Sequence, residues 1–178
     1  MPTTLGPMDF TQSPQPPQQI ELRLRHLEVM ERVTQISLSS DSVEELLQRV
    51  LDEVLTTFQA DRAWVLFPCD PDAASWSVPM ERTVPQWPGA FARGGVIPMI
   101  AEMSDMFRAL LDSPAPQCFG PGNPLNNPPS VTREFSVQSQ IQMALRPRVG
   151  AAWCWGLHHC AQAVAYTPSD VLIFKAIG

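Results

Sequence analysis

Two apolar stripes, where a helix on a single core needs one, run along the segment from Ile20 to Ile36 at helical spacing: Ile20/Leu24/Leu27/Met30 and Leu22/Val29/Val33/Ile36. A chain that opens this way has to give its first helix a second partner. Burial on two sides within one domain is one solution. A symmetric helix pair between two copies is the more economical, because the same face then serves both subunits, and it predicts a homodimer through the N-terminal helix.

The residues before that helix, MPTTLGPMDFTQSPQPPQQ, hold Pro, Gln, Ser and Thr but few core-formers, so residues 1–17 are expected to be a disordered tail or linker. With 178 residues, 44% of them hydrophobic, the chain can bury one sizeable core, and residues 18–178 are read as one domain.

A second helix starts at Ser42, with Glu45 at capping-box spacing, and presents one wide apolar face from Leu46 to Phe58. Arg62 to Phe67 and Trp76 to Thr83 are rich in β-formers and are joined by the turn at Pro68–Ala73, which predicts a hairpin. Pro85 to Gly95 reads as a loop, Met99 to Leu111 as a helix, Gln117 to Phe119 as a short strand, and the Pro- and Asn-rich run Gly120 to Pro129 as an irregular loop before a helical turn at Ser130–Phe135. Ile141, Met143 and Leu145 alternate with Gln140, Gln142 and Ala144, predicting a half-buried strand with a distinct second face. Another strand follows at Ala152–Cys160, and Thr167-Pro168-Ser169-Asp170 opens a last helix that runs to the end of the chain without a stop signal, as a truncated helix would.

Twelve basic against 18 acidic residues leave a net charge of −6 with no run of Lys or Arg, which argues against nucleic acid as a partner. No apolar stretch approaches the ~20 residues needed to span a bilayer, and the first residues lack the charged start and apolar centre of a secretory signal, so membrane insertion is not expected and a cytoplasmic location is. Cys69, Cys118, Cys154 and Cys160 are irregularly spaced within apolar sequence, the pattern of reduced, buried thiols.

Helix, helix, hairpin, helix, hairpin and terminal helix is an order shared by several sensory folds. Ala60-Asp61-Arg62 leading into the first strand, and Gly156-Leu157-His158-His159-Cys160 closing the last, resemble the corresponding segments of GAF domains in bacterial sensor histidine kinases. The nearest likeness is to the phytochrome and cyanobacteriochrome branch, with Tyr166 at the aromatic position and Pro168 to Asp170 at the acidic helix start. The resemblance implies an α+β fold: an antiparallel sheet of five or six strands, terminal helices on one face and a ligand pocket on the other. It implies a small-molecule sensor of a two-component system, relaying its state through a dimer of terminal helices to a C-terminal output domain such as a histidine kinase. Where bilin-binding members carry their attachment Cys followed by His, this chain has Asn126-Asn127-Pro128-Pro129. A covalent bilin is therefore not expected; a noncovalent bilin or other planar small molecule stays open, and the sequence does not identify the ligand.

Strand alternation places His158 and Cys160 on one face and His159 on the other with Trp153, Trp155 and Leu157. Imidazole and thiolate suit soft or borderline metals, but two residues do not complete a site and the third histidine, His26, lies in the first helix. Hydrogen bonding is the expected role, with no metal ligand and no catalytic residue assigned. The ligand-pocket candidates are His158, His159, Trp155, Met143, Phe107, Phe119 and Met80. Two alternatives stay open. One is a dimerisation scaffold without ligand; the other is a thiol-dependent reductase of free methionine sulfoxide using Cys69 and Cys118, against which Asp70 and Asp72 should hold the Cys69 pKa up.

Overall fold

Only part of the double stripe is used by the core. In the computed structural model, which describes residues 17–178, helix α1 (Pro17–Ser39) buries Val29 and Val33 against α2 (Val43–Phe58) and the C-terminal α6 (Pro168–Ile177). Ile20, Leu22, Leu24 and Leu27 lie outside that contact, with Leu27 63% exposed. The tail expected over residues 1–17 falls outside the described residues except at Pro17, where α1 begins.

Local chemistry sets the helix ends. The Ser42 hydroxyl accepts from the Glu45 N–H at 3.1 Å, and the Glu45 carboxylate accepts from the Asp41 N–H at 3.0 Å, one residue earlier than in a full capping box. Helix α2 stops where Gln59 enters the left-handed region at φ 50°. At α6 the full box forms: Thr167 and Asp170 cap each other's backbone, and Pro168 occupies the first turn.

The strands are β1 (Arg62–Phe67), β2 (Ser75–Thr83), β3 (Ile97–Pro98), β4 (Gln117–Phe119), β5 (Ser139–Leu145) and β6 (Trp153–His159), in the spatial order β3-β2-β1-β6-β5-β4 with every neighbouring pair antiparallel. This is the α+β architecture expected, with six strands. One face carries α1, α2 and α6 over a core that includes Leu51, Val54, Ala63, Val65, Leu157 and Phe174. The other carries α4 (Ala101–Asp112), α5 (Pro129–Phe135) and the long loops over Trp64, Leu66, Phe107, Leu110 and Val137.

Three differences from the sequence reading have physical causes. The Pro85–Gly95 loop contains the one-turn helix α3 (Ala90–Arg93), and β3 pairs Ile97 with Trp76; both elements are too short to leave a periodicity. Strand β5 is buried on both faces, because α4 covers the side that carries Gln140 and Gln142. Strand β2 does not alternate strictly: its register against β1 shifts between the Val65 and Phe67 pairs, so Trp76 and Val78 face the loop side but Met80 faces the helices and Glu81 takes the inner position opposite Trp64.

The contact that closes the helix face is aromatic. Phe174 of α6 stacks on Trp155 of β6 at a centroid distance of 4.0 Å, nearly parallel, and meets Phe58 of α2 edge-on at 5.9 Å. Truncation by Phe174→Ala is expected to cost about 3–5 kcal/mol in urea unfolding. Leu172→Ala, two residues away and exposed, should stay within about 0.5 kcal/mol of the parent; equal losses in the two variants would refute the packing assigned to α6.

Candidate ligand site

Arg62 begins β1 as the charged residue of an otherwise apolar strand, and its side chain is only 2% exposed. The alternation that puts Trp64 and Leu66 on the loop face puts the guanidinium there too. Its donors are all engaged. Nε and Nη2 donate to the Trp87 carbonyl at 3.2 and 2.8 Å, Nη2 also to Pro88 O at 3.1 Å, both Nη atoms reach Phe135 O at 3.5 Å, and Nη1 lies 3.0 Å from His158 Nδ1. Glu81, also buried, supplies the countercharge, 4.0 Å from Nε. Its carboxylate accepts from the Gly89 N–H at 3.0 Å, and a Cβ at Gly89 would collide with both Glu81 and Arg62. Burial pushes the Glu81 carboxyl above its ordinary range, against the pull of Arg62 and of the backbone N–H groups at the start of α3.

Asp61, the residue before Arg62, ties the two ends of the site together. Its carboxylate accepts from the Cys160 and Ala161 N–H groups at 2.6 and 2.9 Å, so the segments before β1 and after β6 are held side by side. His158 then projects onto the loop face. Burial first, and then the charge of Arg62, push its imidazole pKa well below the ordinary value, so the ring is neutral. Trp64 Nε1 and Gln140 Oε1 each lie 3.1 Å from His158 Nε2. The Trp64 ring reaches that position by lying across Gly156, where a Cβ would stand 2.6 Å from the indole.

Over this network sits a cavity of about 40 Å³, walled by Arg62, Trp64, Trp76, Glu81, Gln140 and His158 and bordered by apolar groups including Met103, Met106, Val131 and Phe135. Two buried donors on its walls, Trp76 Nε1 and Gln140 Nε2, have no hydrogen-bond partner. Gln142 is satisfied, its amide donating to Met106 Sδ at 2.9 Å and its carbonyl accepting from Cys154 Sγ at 3.6 Å.

Of the residues predicted to line a pocket, His158 lines this cavity. Phe107 and Phe119 belong to the apolar cluster on the same face without lining it. Trp155, His159, Met143 and Met80 face the terminal helices on the opposite side of the sheet. There His159 bridges Tyr166 OH and Phe58 O at 3.0 and 3.1 Å, its pKa lowered chiefly by burial. Sequence reading missed Arg62, Glu81, Gln140 and Gln142. A lone charge opening an apolar strand, and two glutamines in step with Ala144, were the available signals. Among the described residues no group of three or more His, Cys, Asp or Glu side chains could hold a metal ion.

All four cysteines are free and buried, and none lines the cavity. Cys118 faces the helices, and burial, reinforced by Asp170, pushes its thiol up to about 11. The Cys69 thiol corrects an expectation. A hydrogen bond with Cys154 and the charge of Arg146 lower its pKa, against burial and Asp70, which push it up.

No protein-family model matches the chain, and no curated protein does. Solved structures match closely in shape. The phycocyanobilin-bound GAF domain of a cyanobacterial phytochrome superposes with a TM-score of 0.64 at 15% identity, covering 85% of this chain and 89% of that one. The chain has the GAF fold. The GAF domain of a candidate sensor histidine kinase from Pseudomonas syringae pv. tomato matches with a TM-score of 0.56 at 10% identity over 90% of this chain and 84% of that one. The chromophore-binding domain of a Stigmatella aurantiaca phytochrome matches at 0.65 and 13% identity over 94% of this chain. This chain spans 57% and 60% of two such Stigmatella structures and 36% of the longer photosensory core module.

The buried histidines make stability pH-dependent in a defined direction. Both have folded pKa values below the ordinary 6.5, so the unfolded chain takes up protons that the fold refuses, and stability present above that pH is lost as the pH falls below it. Glu81, raised above 4.5, acts in the opposite sense nearer that value. The melting temperature is expected to drop between pH 7.5 and 5.5 and to drop less in His158→Gln; an unchanged slope in the variant would remove His158 as a source.

Proposed function

We propose that this GAF-fold chain is the sensory input domain of a signal-transduction protein, binding a small molecule noncovalently in the cavity over Arg62 and His158. The observation that carries the reading is the cavity's wall, where buried polar side chains converge and two N–H donors have no partner in an otherwise apolar setting. Strand β6 links that wall to the terminal helices: His158 belongs to the cavity network, while on its other face Trp155 holds Phe174 of α6 and His159 holds Tyr166, just before that helix. A shift of β6 on ligand binding would be felt at α6, and the signal would pass to an output domain, a histidine kinase of a two-component system being the reading that the fold neighbours favour.

The outward stripe Ile20/Leu24/Leu27 on α1 supports a homodimer through that helix. No helix among the described residues is long and apolar enough to cross a membrane, which accords with a cytoplasmic domain. A bilin is the less favoured ligand, since the cavity's 40 Å³, even with the adjoining pocket of about 240 Å³, is below the roughly 300–1,000 Å³ of sites for drug-sized ligands. The buried positions of Cys69 and Cys118 give a thiol reductase no accessible nucleophile, and no enzymatic activity is proposed.

The exposed stripe alone would equally serve a dimerisation scaffold, and two measurements separate the readings. In a metabolite screen by thermal shift, a cognate ligand at 100 times its Kd should stabilise the protein by about 2.7 kcal/mol. Light scattering should give a dimer that Leu24→Glu with Leu27→Glu converts to a folded monomer. A dimer that no compound stabilises supports the scaffold; a parent protein that is monomeric removes dimerisation from both.

A further inference from the structure

Particular hydrogen-bond donors on the cavity wall face no free acceptor. A neutral imidazole offers one lone pair, yet His158 faces two donors, Arg62 Nη1 at 3.0 Å and Trp64 Nε1 at 3.1 Å. If Nδ1 accepts from the charged guanidinium, Nε2–H donates to Gln140 Oε1 at 3.1 Å and both bonds are satisfied. The Trp64 indole N–H is then left over. Trp76 Nε1 and Gln140 Nε2 have no partner, and with this His158 tautomer Trp64 Nε1 becomes the third uncharged N–H group among the residues lining one cavity to lack an acceptor. Each such group, buried, is destabilising while it stays unpaired.

The charge balance of the wall is already closed. Every donor of Arg62 is engaged by carbonyls and by His158, and Glu81 stands 4.0 Å away as its countercharge. An added carboxylate would be buried beside Glu81, the charge that already balances Arg62, and an added ammonium would face Arg62 and a set of donors. The space is also divided. The 40 Å³ chamber adjoins a pocket of about 240 Å³, the two sharing Trp76, Met103, Val131 and Phe135 as a common wall and coming to about 280 Å³ together. Met103, unbranched and adaptable, is the part of that wall most easily moved. The outer pocket adds Ile97, Pro98 and Ile100, with Ser130 and Glu134 as its polar members, so its lining is largely apolar.

We infer that the ligand is a compact, uncharged molecule that turns two or more carbonyl-type acceptors toward the indoles of Trp64 and Trp76 and the Gln140 amide, and leaves a small apolar body in the outer pocket. This rests on the ligand-site reading above and specifies the chemistry of that site.

The test follows the indole N–H signals of the whole chain, labelled with nitrogen-15, during titration with three probes of similar size. N-methylsuccinimide has two carbonyls, no donor and no charge; methylcyclopentane lacks acceptors; cyclopentanecarboxylate is an anion. The expected result is that the imide alone moves the Trp64 and Trp76 signals while that of Trp155, buried on the opposite face, stays in place and reports an intact fold. Both Gln140→Leu and Trp76→Phe, the latter keeping an aromatic ring while deleting the donor, should weaken the imide about 3- to 10-fold. If the hydrocarbon or the carboxylate moves the same two signals at equal or lower concentration, the acceptor class is wrong and the ligand-site reading stands. If no probe moves either signal up to its solubility limit, the surplus donors are served by water and both fall.

Discussion

A guanidinium taken out of water on the inner face of a sheet is the constraint on which this structure depends. Arg62 holds the Trp87–Pro88 loop, the end of α5 and strand β6 through one planar group, and Glu81 and His158 are placed by it. Removing one member of such a buried set typically costs about 3–5 kcal/mol, because the remaining charge stays buried without compensation. The loops that roof the cavity are thus not independent coverings. They are fastened to the first strand by hydrogen bonds to backbone carbonyls, which are indifferent to the side chains of the loop but strict about its path.

The sheet works as a partition with different chemistry on each side. Toward α1, α2 and α6 it presents aliphatic and aromatic groups that pack densely and end in the Trp155–Phe174 stack. Toward α4 and α5 the same strands present Arg62, Gln140, Gln142 and His158 among tryptophans and methionines. Alternation along β6 makes neighbouring residues serve opposite sides: His158 answers to the cavity and His159 to Tyr166 and Phe58. A sensor of the proposed kind needs such a strand, since the cavity and the terminal helices lie on opposite faces of the sheet. Glycine contributes at one position in particular. Gly156 removes the side chain that would keep the Trp64 indole off the sheet, and so brings its N–H within reach of His158.

Most of the fold was legible in the sequence because its long elements carry strong local signals. The wide stripe of α2, the Thr167–Asp170 box of α6 and the β-rich runs of β1 and β6 each announce their type without help from the rest of the chain. The candidate site was much less legible. Aromatic and sulfur-containing residues were expected around a ligand, and of the seven named only His158 lines the cavity. Met80 was misplaced by a register shift that no period can announce, and Trp155 and Met143 by the fact that a sheet covered on both faces is aromatic on both.

What the sequence determined by itself was the longer elements, their order, and the parity of each regular strand, since propensity, capping and periodicity act over a few residues. Tertiary structure decided which face each parity meets. The side of the sheet taken by α4 turns two glutamines from a solvent face into a cavity wall, and the shift in β2 exchanges Met80 for Glu81 opposite Trp64. It also decided which stripe of α1 is left outside, because that depends on where α2 and α6 come to lie. Burial, and with it every pKa shift and every unsatisfied donor in the site, is a property of what packs on top of a residue, and elements distant in the chain supply that.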